Sequence, residues 1–200
     1  MKIVEYRGIE GVVYAEVTTD TTDTAGYVTG TVKELAGVAE LTRATESSSE
    51  AHYYDNMPAV VIESTGSDEV TMSLSAIPLE VLADITGQGY DTDTGMLIEG
   101  ARESKYFALG YKTKKTDGTE IYVWRLKGTF SIPESTHATE DDGTDANGQE
   151  LTFTGISTTH KFTKTSKGAK AINVPKDGGA TNMDKFFETV QTPDTVKKTA

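Results

Sequence analysis

The residues able to support catalysis or hold a metal are three histidines and two groups of carboxylates, so their spacing is the first test. His52, His137 and His160 fall in unrelated segments, with no metal-ligand spacing and no His-Glu-x-x-His signature. Each reads as an ordinary surface or partly buried imidazole. Two acidic loops, Asp91-Thr92-Asp93-Thr94-Gly95 and residues 141–148, imitate calcium sites. A helix-loop-helix calcium loop needs oxygen ligands at its first, third and fifth positions, Gly at the sixth and Glu at the twelfth. Aligned on Gly95 these ends are Tyr90 and Ala101, and aligned on Gly148 they are Gly143 and Thr154. Neither loop qualifies, and turn formation with solvation accounts for both. No Gly-x-Ser-x-Gly elbow or phosphate-binding Gly-Lys-Ser/Thr loop occurs, and Gly87-Gln88-Gly89 stops short of a dinucleotide turn. The chain has no cysteine, which excludes disulfides and thiolate chemistry and fits a reducing compartment. The expectation is a protein that is not an enzyme and carries no cofactor or metal.

The elements are mostly strands. Lys105 to Phe130 (KYFALGYKTKKTDGTEIYVWRLKGTF) reads as a long β-hairpin around Asp117-Gly118, a pair suited to a two-residue turn with positive φ. Counting outward pairs Lys115 with Glu120, Tyr111 with Trp124, Leu109 with Leu126 and Phe107 with Gly128. That register puts Phe107, Leu109, Tyr111, Tyr122, Trp124 and Leu126 on one buried face. Lys112, Lys114, Arg125 and Lys127 then occupy a face open to solvent or a partner. Further strands are expected at Val12–Val17, Gly37–Thr45, Val60–Glu63 and Leu151–Ser157. Val70–Ala76 is another, with Val70, Met72, Leu74 and Ala76 inward. Glu46–Glu50 reads as a flexible connection, and Ser64-Thr65-Gly66-Ser67 as a turn. Pro78 to Ile85 is the one helix of the body, stopped by Gly87, with Leu79, Leu82 and Ala83 or Ile85 as its apolar stripe. Residues 133–149 form a polar loop carrying Glu140, Asp141, Asp142 and Asp145. A domain over 1–165 is followed by a C-terminal arm, 166–200, with a possible helix around Asn182 to Val190 whose stripe is Met183, Phe186, Phe187 and Val190. The arm is expected to be mobile in a free subunit because that stripe lacks anything to bury against.

Composition bounds the rest. Two hundred residues at 36% hydrophobic content can bury a real core, and abundant Gly and Thr favour an all-β class, a β-sandwich or partly closed barrel with one short flanking helix. The N-terminal residues carry Glu5, Arg7 and Glu10 where a signal peptide needs apolar residues. The longest apolar run, Pro58 to Ile62, is far below the ~20 residues of a spanning helix. A soluble protein that stays where it is made is expected. The net charge of −12 is uneven: residues 1–100 hold 4 Lys/Arg against 18 Asp/Glu, residues 101–200 hold 15 against 13. Such polarity suits simple solubility, or a head-to-tail assembly in which an acidic half meets a basic hairpin. It disfavours nucleic-acid binding through a basic groove.

The strand Tyr106-Phe107-Ala108-Leu109-Gly110-Tyr111-Lys112, the basic turn and Tyr122-Val123-Trp124 resemble the major tail proteins, or tail tube subunits, of long flexible-tailed bacteriophages. Ala36-Gly37, Tyr54-Asp55-Asn56, Val70 to Leu74, Ile77-Pro78-Leu79-Glu80 ahead of Gly87, Gly128-Thr129-Phe130 and Leu151 to Gly155 follow in that family's order, covering roughly residues 1–165. The resemblance implies a structural virion protein whose copies form hexameric rings stacked into a tube, the conduit for genome delivery. Its partners would be a tape-measure protein in the lumen, a tail terminator and distal tail proteins, with DNA passing unbound and no membrane engaged. It would reside in the virion tail after assembly in the bacterial cytoplasm. Candidate subunit or ring contacts are Tyr53 and Tyr54, neighbours pointing to opposite faces of an extended segment, Lys112, Lys114 and Lys115 of the basic turn, and Phe186 and Phe187 of the arm. Those lysines should face outward or meet acids of an adjacent subunit or ring, because a tube that passes DNA should not hold it. Residues 47–56, 133–149 and 166–200 are expected to order only on stacking. The alternative is a monomeric β-sandwich binding module, carbohydrate-binding or virion-decorating, marked by an exposed aromatic strip.

Overall fold

Alternating apolar residues in the sequence become a large, strongly curled antiparallel sheet, accompanied by a small two-stranded one. A computed structural model describes residues 3–23, 26–139, 147–181 and 183–198; Glu140, Asp141, Asp142 and Asp145 lie outside them. In chain order the elements are β1 (Tyr6–Asp20), β2 (Tyr27–Thr29), β3 (Lys33–Glu34), β4 (Val38–Tyr54), β5 (Met57–Leu74), α1 (Leu79–Thr86), β6 (Gly89–Asp91), β7 (Met96–Ile98), β8 (Phe107–Lys115), β9 (Glu120–Phe130), β10 (Glu134–Ser135), β11 (Gln149–Gly155) and β12 (Ala171–Pro175). The sheet runs β2-β1-β8-β9-β11-β5-β4, with β3 on β1, β10 on β11 and β12 on β9. It folds over on itself until β1 and β4 come close without a ladder between them. The protein is an all-β sandwich with one short helix.

Two apolar clusters hold it together. Inside the fold lie Tyr14, Val70, Met72, Leu74, Phe107, Leu109, Tyr111, Val123, Phe130, Leu151 and Phe153, with Ile85 of α1 closing one end. Outside β8 and β9 lie Ala108, Tyr122, Trp124 and Leu126, covered by Phe162, Met183, Phe186 and Val190. Burying one such Leu, Phe or Met contributes roughly 1.5–3 kcal/mol relative to leaving it exposed. The expected C-terminal stripe therefore has its partner within the chain. Phe186 and Phe187 pack on Tyr122 at ring-centroid distances of 5.4 Å, and β12 adds a strand along β9. Where an α-helix was expected around Asn182 to Val190, the described residues form a 3₁₀ turn, Met183–Lys185, and Asn182 lies outside them.

The central hairpin exists, but its turn is one residue longer than the sequence suggested. Gly118 N–H donates to the Lys115 carbonyl at 3.0 Å and Lys115 N–H to the Thr119 carbonyl at 2.9 Å, with Gly118 at φ 91°. This is a three-residue loop closed by a glycine bulge. Lys114 consequently pairs with Glu120, Tyr111 with Val123 and Gly110 with Trp124, and only beyond a bulge does Phe107 meet Gly128. A one-residue slip moves a whole set of side chains across the sheet. Tyr122, Trp124 and Leu126 thus leave Phe107, Leu109 and Tyr111 for the opposite face, and both faces are buried. Arg125 and Lys127, expected on a face open to solvent or a partner, are buried and paired with Asp68 and Asp20.

Smaller departures have local causes. Gly87 takes the left-handed conformation just past α1 at φ 67°, as its position implied, but the helix buries Ala83, Ile85 and Thr86 while Leu79 stays 49% exposed. β5 ends at Leu74, so Ile77 rather than Ala76 takes the next inward position. Residues 46–50 and 64–67 are strand, not connection and turn. The reversal lies at Asp55-Asn56, both at positive φ (52° and 62°), a two-residue turn that joins Tyr54 to Met57.

Candidate interaction surface: a bare ribbon and an open trough

β4 and β5 together run far beyond the body of the sandwich. Only Asp68 to Leu74 of β5 pairs with β11, whereas the ladder with β4 continues from Ser47–Thr65 out to Tyr54–Met57. Every residue from 46 to 66 is exposed, so this is a two-stranded ribbon with neither face covered. Its side chains include Tyr53 (66% exposed), Tyr54, Met57, Val60, Val61 (57%) and Ile62. An isolated two-stranded hairpin is marginally stable in water, and an exposed strand edge is a template for pairing with another chain. The ribbon carries Glu46, Glu50, Asp55 and Glu63 and no Lys or Arg.

An ion cluster fixes the ribbon's root. Arg125 Nη1 contacts Asp68 Oδ2, and Asp68 Oδ1 accepts from Thr45 Oγ1 at 2.9 Å and lies 3.6 Å from Lys170 Nζ. Lys170 Nζ also donates to the Gly66 carbonyl. Both strands are thereby tied at their base, where β5 holds an extra residue between the Thr45–Asp68 and Ser47–Thr65 pairs. Arg125 Nη2 donates to Tyr111 Oη at 3.4 Å, and its buried Nε has no acceptor. These groups line an open trough of about 1070 Å³ between β1 and β4, floored by Tyr111, Val123 and Arg125.

The seven residues singled out from sequence do not form one site. Tyr53 and Tyr54 stand at the ribbon tip. Lys112 is half-buried and has its acids within the chain, Glu10 at 2.9 Å and Glu120 at 4.0 Å, which hold its ammonium above the usual range. Lys114 is exposed and Lys115 half-buried beside the β8–β9 turn. Phe186 is covered by its own chain and Phe187 half-covered, which removes the reason for reading Phe186 as an intersubunit contact. Met57, Val60, Val61 and Ile62 were missed as a surface. The usable signal was Asp-Asn between two β-forming runs, residue types that tolerate positive φ.

The residues of the sequence able to do chemistry lie apart in the fold. The three histidines lie on three separate elements: His52 on the ribbon, His137 after β10, and His160 beside β1, its Nδ1 3.2 Å from the Thr21 carbonyl. Asp91 accepts from Thr94 Oγ1 at 2.6 Å and from Asp93 N–H at 3.0 Å, bonds that close the β6–β7 turn and hold its carboxyl below the usual range. Among the described residues, no group of three or more His, Asp or Glu is placed to hold a metal, and no helix is long and apolar enough to cross a membrane. Compared with known proteins, the chain matches no family model and no curated sequence.

Proposed function

We propose that this chain is a self-assembling structural subunit of a bacteriophage tail tube, its copies closing into rings, six to a ring, that stack into the conduit for the genome. The observation that carries the reading is the bare β4–β5 ribbon. Twenty-one residues in succession, 46 to 66, expose both faces of a β-ladder and an apolar set no part of the described chain covers. A sheet edge of that kind is a hazard in a monomer and a joint in an assembly. The order of motifs that resembles the tail tube family adds independent support. In such a tube a tape-measure protein would fill the lumen during assembly, and terminator and distal tail proteins would cap the ends, placing the chain in the virion. An acidic wall would let DNA pass without counterion-release attraction. Lys112, neutralised by Glu10 and Glu120, adds little attraction for phosphate.

Negative-stain electron microscopy and sedimentation of the full chain across a concentration series test this. Rings or tubes are the expected outcome; a monomer at every concentration refutes the reading.

A further inference from the structure

We infer that the β4–β5 ribbon of one copy seats in the trough between β1 and β4 of the next. This rests on the self-assembly reading and adds which two surfaces meet.

Charge is the first argument. The ribbon has four carboxylates and no Lys or Arg, with Asp55 at its turn, Glu50 and Glu63 along its length and His52 as its one titratable base. The trough is lined by Arg43, Arg125 and Lys170 against Glu40 and Asp68, so its lining is net basic. Arg43 hydrogen-bonds Thr45 Oγ1 at 3.0 Å, and among the described residues no carboxylate pairs with it. Arg125 and Lys170 share Asp68 within the chain, so Arg43 is the trough cation left for a second copy's carboxylate. A guanidinium with open donors is satisfied by a carboxylate or a carbonyl oxygen.

Shape is the second argument. Tyr6, Ile9 and Leu41 offer apolar lining for Tyr54, Met57 and Val61. Among the described residues, β4 has no strand on its outer edge, and β1 from Tyr6 to Gly11 pairs only with β8. An entering strand would find backbone donors and acceptors on both walls. The ribbon does not fill its own trough, since residues 46–66 are exposed throughout. Donor and acceptor are different patches of one chain, so the contact is heterologous and repeats from copy to copy, as a ring or filament requires.

Native chains have no cysteine, so introduced thiols report without background. Full-length Met57→Cys at the ribbon tip is mixed with Thr113→Cys or Tyr6→Cys in the trough, or with Ser135→Cys elsewhere. After assembly, a short bis-maleimide is added and denaturing gels are read. Tip-to-trough dimers should exceed tip-to-Ser135→Cys dimers on the order of tenfold, and Arg43→Glu should reduce them by a similar factor. Tyr6→Cys, at an exposed position, decides the matter should Thr113→Cys misfold. Assembled particles in which the tip links to Ser135→Cys as readily as to the trough overturn this inference and leave self-assembly standing. Persistent monomers overturn both.

Discussion

Two aspartates act as clamps, each through both carboxylate oxygens. Asp20 accepts from Lys127 Nζ at 2.6 Å and from the backbone N–H groups of Thr159 and His160 at 2.8 Å each. Asp194 accepts from the N–H groups of Thr163 and Lys164 at 2.8 and 2.9 Å. They bind the segment after β11 to β1 and to the chain's end. Burial works against ionisation of Asp20, but the hydrogen bonds from Lys127, Thr159 and His160 outweigh it, so its carboxyl titrates below the usual range. A carboxyl depressed by folding contributes its stability above the unfolded value of about 3.9 and loses it as pH falls through the folded value. Asp20→Asn should therefore flatten the loss of stability below about pH 4, read from urea midpoints against pH. Asp20→Ala leaves Lys127 buried and unpaired and should cost about 3 kcal/mol at neutral pH by urea unfolding.

At the scale of elements, turns decide which face a strand presents. The ribbon's turn demands positive φ at two successive residues, which Asp55 and Asn56 tolerate and a β-branched residue does not. Asn56→Val should fray the ribbon tip, lowering hydrogen-exchange protection at Tyr54 and Met57, while the global unfolding midpoint holds because no core residue lies between Glu46 and Gly66. Asn56→Gly should keep the tip intact. The C-terminal layer is held differently, by ring packing and by the Trp124 Nε1–H bond to the Phe186 carbonyl at 3.2 Å. Phe186→Ala should cost about 3 kcal/mol and shift the emission of the only tryptophan to the red as water reaches it.

For the whole molecule, the division is between a sandwich packed around two apolar clusters and a ribbon that adds nothing to either. Changes on the ribbon should therefore separate folding from assembly. Val61→Lys with Ile62→Lys should leave the tryptophan emission and unfolding midpoint unchanged, because both positions are exposed. The same pair should abolish rings or tubes in micrographs by placing two charges in the joint. Loss of fold in this variant would mean the ribbon is part of the subunit's own core.

Much was legible in the sequence because local rules governed it. Period-two alternation at Val70, Met72 and Leu74, the Gly87 helix stop and the β-rich composition each act over a few residues, and they determined the all-β class, the single helix and most strands of the body. What lay beyond reach depended on residues distant in the chain. The glycine bulge at Gly118 differs by one residue from the tight turn its sequence permits, and only packing on both faces selects it. Arg125 and Lys127 look like solvent charges until Asp68 and Asp20, 57 and 107 residues away, are brought to them. The Ser-rich ribbon has the composition of a linker, and the ion pairs of Asp68, Arg125 and Lys170 at its root join residues far apart in the chain. Tertiary structure alone decided that this acidic ribbon stands bare beside an open trough, since exposure is a property of the assembled sheet and not of any residue in it.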